Sequence, residues 1–188
     1  TTGLPVPWIY VGFETGLLVN YPGSGGTNDD YDPRARPWYK AAKDGYAIAW
    51  SSPYVDAFGL GVVMSASRSL RDRQGRLLGV TSFDMTFAHV MTLLNSGKER
   101  DIFVTRRFLI DGEGNVLISS KLDESKVKDA SKDFSNIKFD KFPYSQISSE
   151  IKKHETGQFE VGAKGRVRLI CYAPVKTLGW YYVEEIAL

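Results

Sequence analysis

The chain has 188 residues, 43% hydrophobic and 24% charged, which is enough for one domain or two small ones with a packed core. A net charge of +2, with basic residues interspersed among acids, gives no footprint for nucleic acid and no basic patch for a membrane surface. No apolar run approaches the ~20 residues of a membrane span, no signal peptide is recognisable, and a single cysteine, Cys171, forbids an internal disulfide.

In chain order, "PWIYVGFETGLLVNYP" predicts two strands around a turn at Glu14, Thr15 and Gly16. "GSGGTNDD" is a loop. Pro37 suits the first turn of a helix, where its missing N–H would be unpaired anyway, so "RPWYKAAKDG" predicts a short helix closed by Gly45. "YAIAWSSPYVDAFGLGVVMSASRSL" predicts two strands broken near Pro53 and Gly59. "RDRQGR" is a hairpin turn, "LLGVTSFDM" a buried strand, and "TFAHVMTLLNSG" a helix with Thr86 as its cap.

The second half repeats this plan. "RRFLIDGEGNVLISS" predicts strand, turn at Gly112 to Asn115, strand. "GQFEVGAKGRVRLICYAPVKTLGWYYVEEIAL" predicts three strands with turns at Ala163-Lys164-Gly165 and at Lys176 to Gly179. Between them lies a lysine-rich polar stretch with a helix near Tyr144 to His154. Cys171 alternates within "VRLICYAPV" and reads as a small core residue. The expected architecture is α+β: two modules, each a central antiparallel sheet flanked by helices, residues 1–97 and 98–188, joined near "NSGKERDI".

Aromatics make up 13% of the chain and crowd between Trp8 and Phe87. Among them stands "NDDYDPRARPWYKAAKDG", where arginines alternate with prolines just ahead of a tryptophan and a tyrosine. The planar fork of Arg36 suits a carboxylate or phosphate, although a salt bridge to Asp32 or Asp44 is the plain alternative. Helical spacing lets Arg36 and Tyr39 share a face with Trp38 beside them, and Tyr31 arrives through a proline-stiffened turn. In "SSPYVDAFG", Tyr54 and Asp56 alternate onto one face; the plain alternative is a loop tyrosine with a capping aspartate. Asp84 interrupts an apolar strand, which is costly unless the carboxylate is paired or caps the helix that follows. One arginine to hold a carboxylate, aspartates to hold an ammonium and aromatic walls suit an α-amino acid.

"YDPRARPWYKAA" followed by "SSPYVDAFG" resembles the membrane-distal module of the double Cache family, the extracytoplasmic sensor domains of chemoreceptors, sensor histidine kinases and cyclic-dinucleotide enzymes. The likeness is specific from Tyr31 to about Met85 and architectural elsewhere. It implies two PAS-like modules with a small-molecule ligand in the first. Arg36 and Trp38 would bind the ligand carboxylate, Tyr39 and Tyr54 would hydrogen-bond or pack on it, Tyr31 and Asp84 would bind its amino group, and Asp56 would be an accessory acid. It also implies an extracytoplasmic place, a membrane-anchored whole protein and a homodimer. The family's long N-terminal helix has no counterpart ahead of the first strand in this sequence. The same fold serves calcium-channel auxiliary subunits, so a structural or interaction module without ligand sensing is the alternative.

Catalysis is not expected. Asp56 and Asp84 would be the only acid–base pair to offer, His89 and His154 belong to no triad, metal or phosphate motif, and Gly112-Glu113-Gly114 reads as a β-turn. No metal or cofactor is implied. The second module is expected to hold no comparable charged pocket, with Arg106 and Arg107 preceding an exposed strand, and Arg34 is expected to be a surface or latch arginine.

Overall fold

The computed structural model describes residues 6–23, 30–95, 103–120, 139–162 and 166–188. The glycine-serine loop after Gly23, the joint at "NSGKERDI", most of the lysine-rich stretch and the turn at Ala163 to Gly165 lie outside them. The described residues divide into two compact units, the first running to His89 and the second starting at Val90.

The first unit is built on β1 (Ile9–Phe13), β2 (Leu18–Tyr21), β3 (Ala49–Trp50), β4 (Tyr54–Val55), β5 (Val62–Arg71) and β6 (Leu77–Thr86). All pairings are antiparallel, in the order β2-β1-β6-β5-β3, with β4 also on β5. The first hairpin closes as expected, with Phe13 N–H donating to Leu17 O at 2.8 Å and Gly16 turning at φ 88°. The β5–β6 turn is held by Asp72, whose carboxylate accepts from the N–H groups of Gln74 and Arg76 at 2.9 and 2.8 Å. The stretch from Ala49 to Arg71 forms three strands rather than the expected two, because the Pro53 break separates β3 from β4 and Gly59 and Gly61, at φ 90° and 79°, turn the chain into β5.

A 3-10 turn at Pro33–Ala35 leads into α1 (Pro37–Ala42). Alternation puts Tyr10 of β1, Val63 of β5 and Val80 of β6 on one sheet face, and α1 lays Trp38, Tyr39 and Ala42 on it. Gly12 makes this approach possible. A Cβ there would stand 2.7 Å from Trp38 Cη2 and 2.8 Å from Pro33 Cβ. Thr86 begins α2 (Phe87–Asn95) as expected, accepting from His89 N–H at 3.4 Å.

The second unit contains β7 (Val104–Ile110), β8 (Val116–Ser119), α3 (Ile147–Lys153), β9 (Gly157–Val161), β10 (Arg168–Val175) and β11 (Trp180–Ala187). Its antiparallel sheet runs β8-β7-β11-β10-β9. With the two-residue β4 left out of the count, both sheets follow one order along their unit: second, first, fifth, fourth, third. In both, the helix that covers the core lies between the second and third strands. Phe108, Ile110, Ile170, Tyr172 and Val183 form the second core with Ile147 and Ile151 of α3. This is the α+β, twice-repeated architecture read from the sequence.

Two expectations fail here. Ile170 and Tyr172 face the core, so Cys171 between them points to the other face and is only partly covered. Arg106 and Arg107 do not precede an exposed strand: they belong to β7, which lies between β8 and β11, and Arg107 is buried with its Nε 3.4 Å from Glu184.

Gly12→Ala is expected to lower unfolding stability by about 1–3 kcal/mol, since both neighbours it would strike are fixed. Gly45→Ala, where a Cβ meets nothing within 4 Å, should stay within about 0.5 kcal/mol of the parent. Urea titrations of the two variants make the comparison.

Candidate ligand pocket

The first unit holds a pocket of about 10 Å³, whose side chains stand so close that it has room for about one water-sized body. Its walls come from every part of the unit: Tyr10 from β1, Tyr54 and Asp56 around β4, Asp84 from β6, Arg36 and Trp38 from the start of α1.

Asp84 sits at the base and is 2% exposed. It faces Ser65 across the β5–β6 ladder. Its Oδ1 accepts from Tyr10 OH at 2.5 Å, from Ser65 Oγ at 2.6 Å and from Tyr54 OH at 3.4 Å. Burial raises the Asp84 pKa above the ordinary carboxylate value; the hydrogen bonds from Ser65 and Tyr10 pull it down, and the charge of Asp56 pushes it up. The same burial drives the Tyr10 and Tyr54 phenols far upward, so both keep their protons. The helix-cap reading of Asp84 fails because Thr86 takes that role.

Arg36 has an extended backbone, φ −78° and ψ 150°, as a residue before proline should. It stands at the N-cap of α1 without a side-chain capping bond. Its Nη2 donates to Val55 O at 3.0 Å, and its guanidinium lies 5.8 Å from the Tyr31 ring centre and 5.6 Å from that of Tyr54. Asp32 is bound by Arg34 at 2.9 Å, and Asp44 lies 4.0 Å from Lys43, so neither takes the partner role the sequence allowed it with Arg36. Arg34 is the latch: besides Asp32, it donates to Glu14 O at 3.0 Å and ties the 3-10 turn to the first hairpin.

Tyr31 shares the wall with Phe58, ring centres 5.7 Å apart. Burial raises its phenol, while a hydrogen bond from Trp38 and the charge of Arg36 act against that rise. Asp56 does what its plain alternative said and also lines the cavity. Its Oδ2 accepts from the N–H groups of Phe58 and Leu60 at 2.9 and 3.0 Å, which holds Phe58 in the wall.

Six expected residues, Tyr31, Arg36, Trp38, Tyr54, Asp56 and Asp84, therefore meet at one cavity. Tyr39 does not. It is buried, but its hydroxyl donates to the Glu14 carboxylate at the first turn, outside the cavity lining. Sequence reasoning missed Tyr10, whose signal was its alternation in β1, and Ser65, whose only signal was polarity inside an apolar strand. Among the described residues no group of three or more His, Cys, Asp or Glu is placed to hold a metal.

Residues 18–92 match the family model described as methyl-accepting chemotaxis protein-like, first PDC sensor domain. The methyl-accepting chemotaxis protein McpC of Bacillus subtilis is 33% identical over 113 residues, 60% of this chain and 17% of McpC. McpA of Pseudomonas putida is 32% identical over 154 residues, 80% of this chain and 22% of McpA. The chain thus spans about a fifth of the length of these relatives. Among solved structures, the ligand-binding domain of the Pseudomonas fluorescens chemoreceptor CtaA in complex with L-leucine superposes with TM-score 0.69 at 21% identity, covering 97% of this chain and 71% of that one. Most of the first unit thus matches a chemotaxis-type PDC sensor model, and the chain has the fold of chemoreceptor ligand-binding domains.

Proposed function

We propose that this chain is the extracytoplasmic sensing region of a membrane-anchored, homodimeric chemoreceptor, and that its first unit binds a free amino acid or a close analogue. The observation that carries the reading is that Arg36 and Asp84, one guanidinium and one carboxylate, stand in the walls of a single aromatic cavity. The fork of Arg36 takes the ligand carboxylate with Trp38 beside it; Asp84 takes the ammonium; the rings of Tyr31 and Tyr54 shield both charges from water. Asp56 acts through the Phe58 loop it holds.

Residues 1–97 form the membrane-distal, ligand-binding module and residues 98–188 the membrane-proximal one. In the second unit Glu185 faces Ile170 across the β10–β11 ladder, as Asp84 faces Ser65, but it already has a cation: Arg168 Nε is 3.6 Å away. The chain binds without transforming. Its output is a shift of population, limited by the difference in ligand affinity between two states. The relatives, all chemotaxis proteins, favour a chemoreceptor over a histidine kinase as the whole protein.

Thermal-shift and calorimetric screens should select amino acids over plain carboxylates, sugars and amines; stabilisation by acetate alone would remove the ammonium half of the site. Arg36→Lys keeps the charge but loses the planar fork, and should weaken binding at least about tenfold, equivalent to ~1.4 kcal/mol, while the domain stays folded. Arg34→Lys should leave affinity unchanged. Equal effects of the two on calorimetric affinity would mean that the motif is misplaced. Tyr39→Phe should lower stability by about 0.5–1.5 kcal/mol through its lost bond to Glu14 and leave ligand affinity as it was. A fall in affinity there would return Tyr39 to the site.

A further inference from the structure

Asp84 is a buried carboxylate with no positive charge bound to it among the described residues. Its hydrogen bonds among the described residues come from hydroxyl groups, and all go to Oδ1, which leaves Oδ2 to the cavity. The groups around it are Tyr10 from β1, Tyr54 from β4, Ser65 from β5, Asp56 from the loop after β4, and Tyr31 and Arg36 from the chain leading into α1. Arg36, the one cation of this set, is directed to Val55 O and two tyrosine rings. The other acid, Asp56, repels a second negative charge. An ionised Asp84 in this setting is desolvated, next to a like charge and, among the described residues, without a counter-ion.

We propose that the ligand's amino group binds at Asp84 with release of a proton from that residue, so that pH sets the affinity of the first unit. The proposal rests on the amino-acid reading above. The step balances simply. The Oδ2–H bond of the Asp84 carboxyl breaks, its proton passes to solvent, and the carboxylate pairs with a ligand ammonium that stays protonated. Neither phenol competes as the proton source, because burial holds both far above the range in question.

The sign follows from linkage. Burial raises the Asp84 pKa in the free site, and a bound ammonium lowers it. Between the two values the free site holds the proton and the bound site does not. Affinity therefore falls as pH drops through that window, approaching about tenfold per pH unit, and is flat above it. A receptor so built responds less to the same amino acid in acid surroundings.

The test is calorimetry with L-leucine, L-alanine and L-serine as probes, from about pH 4.5 to 8, in buffers of different ionisation enthalpy. The dependence of observed heat on buffer ionisation counts the protons released. Up to one proton should leave on binding, within the same window where affinity falls. Asp84→Asn should bind more weakly, release none and show no such pH slope. If that variant does not fold, carboxyl carbon NMR of the parent replaces it: Asp84 should titrate at lower pH with the probe bound than without. Binding with no proton exchange at any pH, or an Asp84 titration unmoved by the probe, overturns the proposal and leaves the amino-acid reading standing. Binding of none of the three probes overturns both.

Discussion

The first unit is organised around a carboxylate inside a β-sheet. Asp84 lies on β6, flanked by β1 and β5, and the ladders on both sides deliver the groups that make its burial tolerable. Pairing with β5 sets Ser65 opposite; pairing with β1 brings Tyr10 to the same face one step along, where it faces Ser82. Hydroxyls suit this task because one group both donates and accepts, so Tyr10, Tyr54 and Ser65 bond one another as well as Asp84. Ser67 and Ser82, 2.8 Å apart, continue the polar strip. Such a network rigidifies only when each member is satisfied, and here the two ring-bearing members also form the cavity wall. Core and candidate pocket are therefore one structure.

The second unit shows what the same strand order gives without that strip. Where Tyr10 faces Ser82, Phe108 faces Val183; where Ser65 faces Asp84, Ile170 faces Glu185. Each hydroxyl has become hydrocarbon. The remaining acid lies two residues before its strand's end, as Asp84 does, and it is satisfied by Arg168 and by the Thr105 hydroxyl at 3.3 Å. A closed ion pair asks nothing of a ligand. This contrast is the physical support for placing sensing in the first unit and leaving support or transmission to the second.

The elements legible in the sequence were those set by local chemistry. The turns at Gly16 and around Asp72, the helix start at Pro37 and the Thr86 cap each depend on a few adjacent residues. The Arg36–Asp84 pairing of charges was legible as composition and its aromatic walls as density. Two misreadings share a cause: parity or direction fixed at long range. Cys171 was correctly placed in a strand but on the wrong face, because which face is inner depends on α3 packing over Ile170 and Tyr172. Tyr10 was overlooked because its partner stands 74 residues away. Tyr39 was assigned to the face of Arg36 by helical spacing, yet Arg36 is extended, so the rule has no purchase there.

That extended residue explains why an arginine stands two places before a tryptophan. Pro37 bars Arg36 from helical geometry and fixes where α1 begins. Trp38, 1% exposed, is wedged against the Tyr10 ring with centres 4.7 Å apart and over the bare backbone of Gly12; Pro33 presses the same spot from the other side of the turn. The backbone around Arg36 is thus anchored at two points, while its side chain is spared from capping the helix. It reaches the carbonyl of Val55 and lies against the rings of Tyr31 and Tyr54, which hold the fork at the cavity wall. A guanidinium placed this way loses little rotamer freedom when it meets a carboxylate, and affinity gained through preorganisation needs no additional contact. Pro37 and Trp38, directly after the arginine, are the means by which a long, flexible side chain is held in one place.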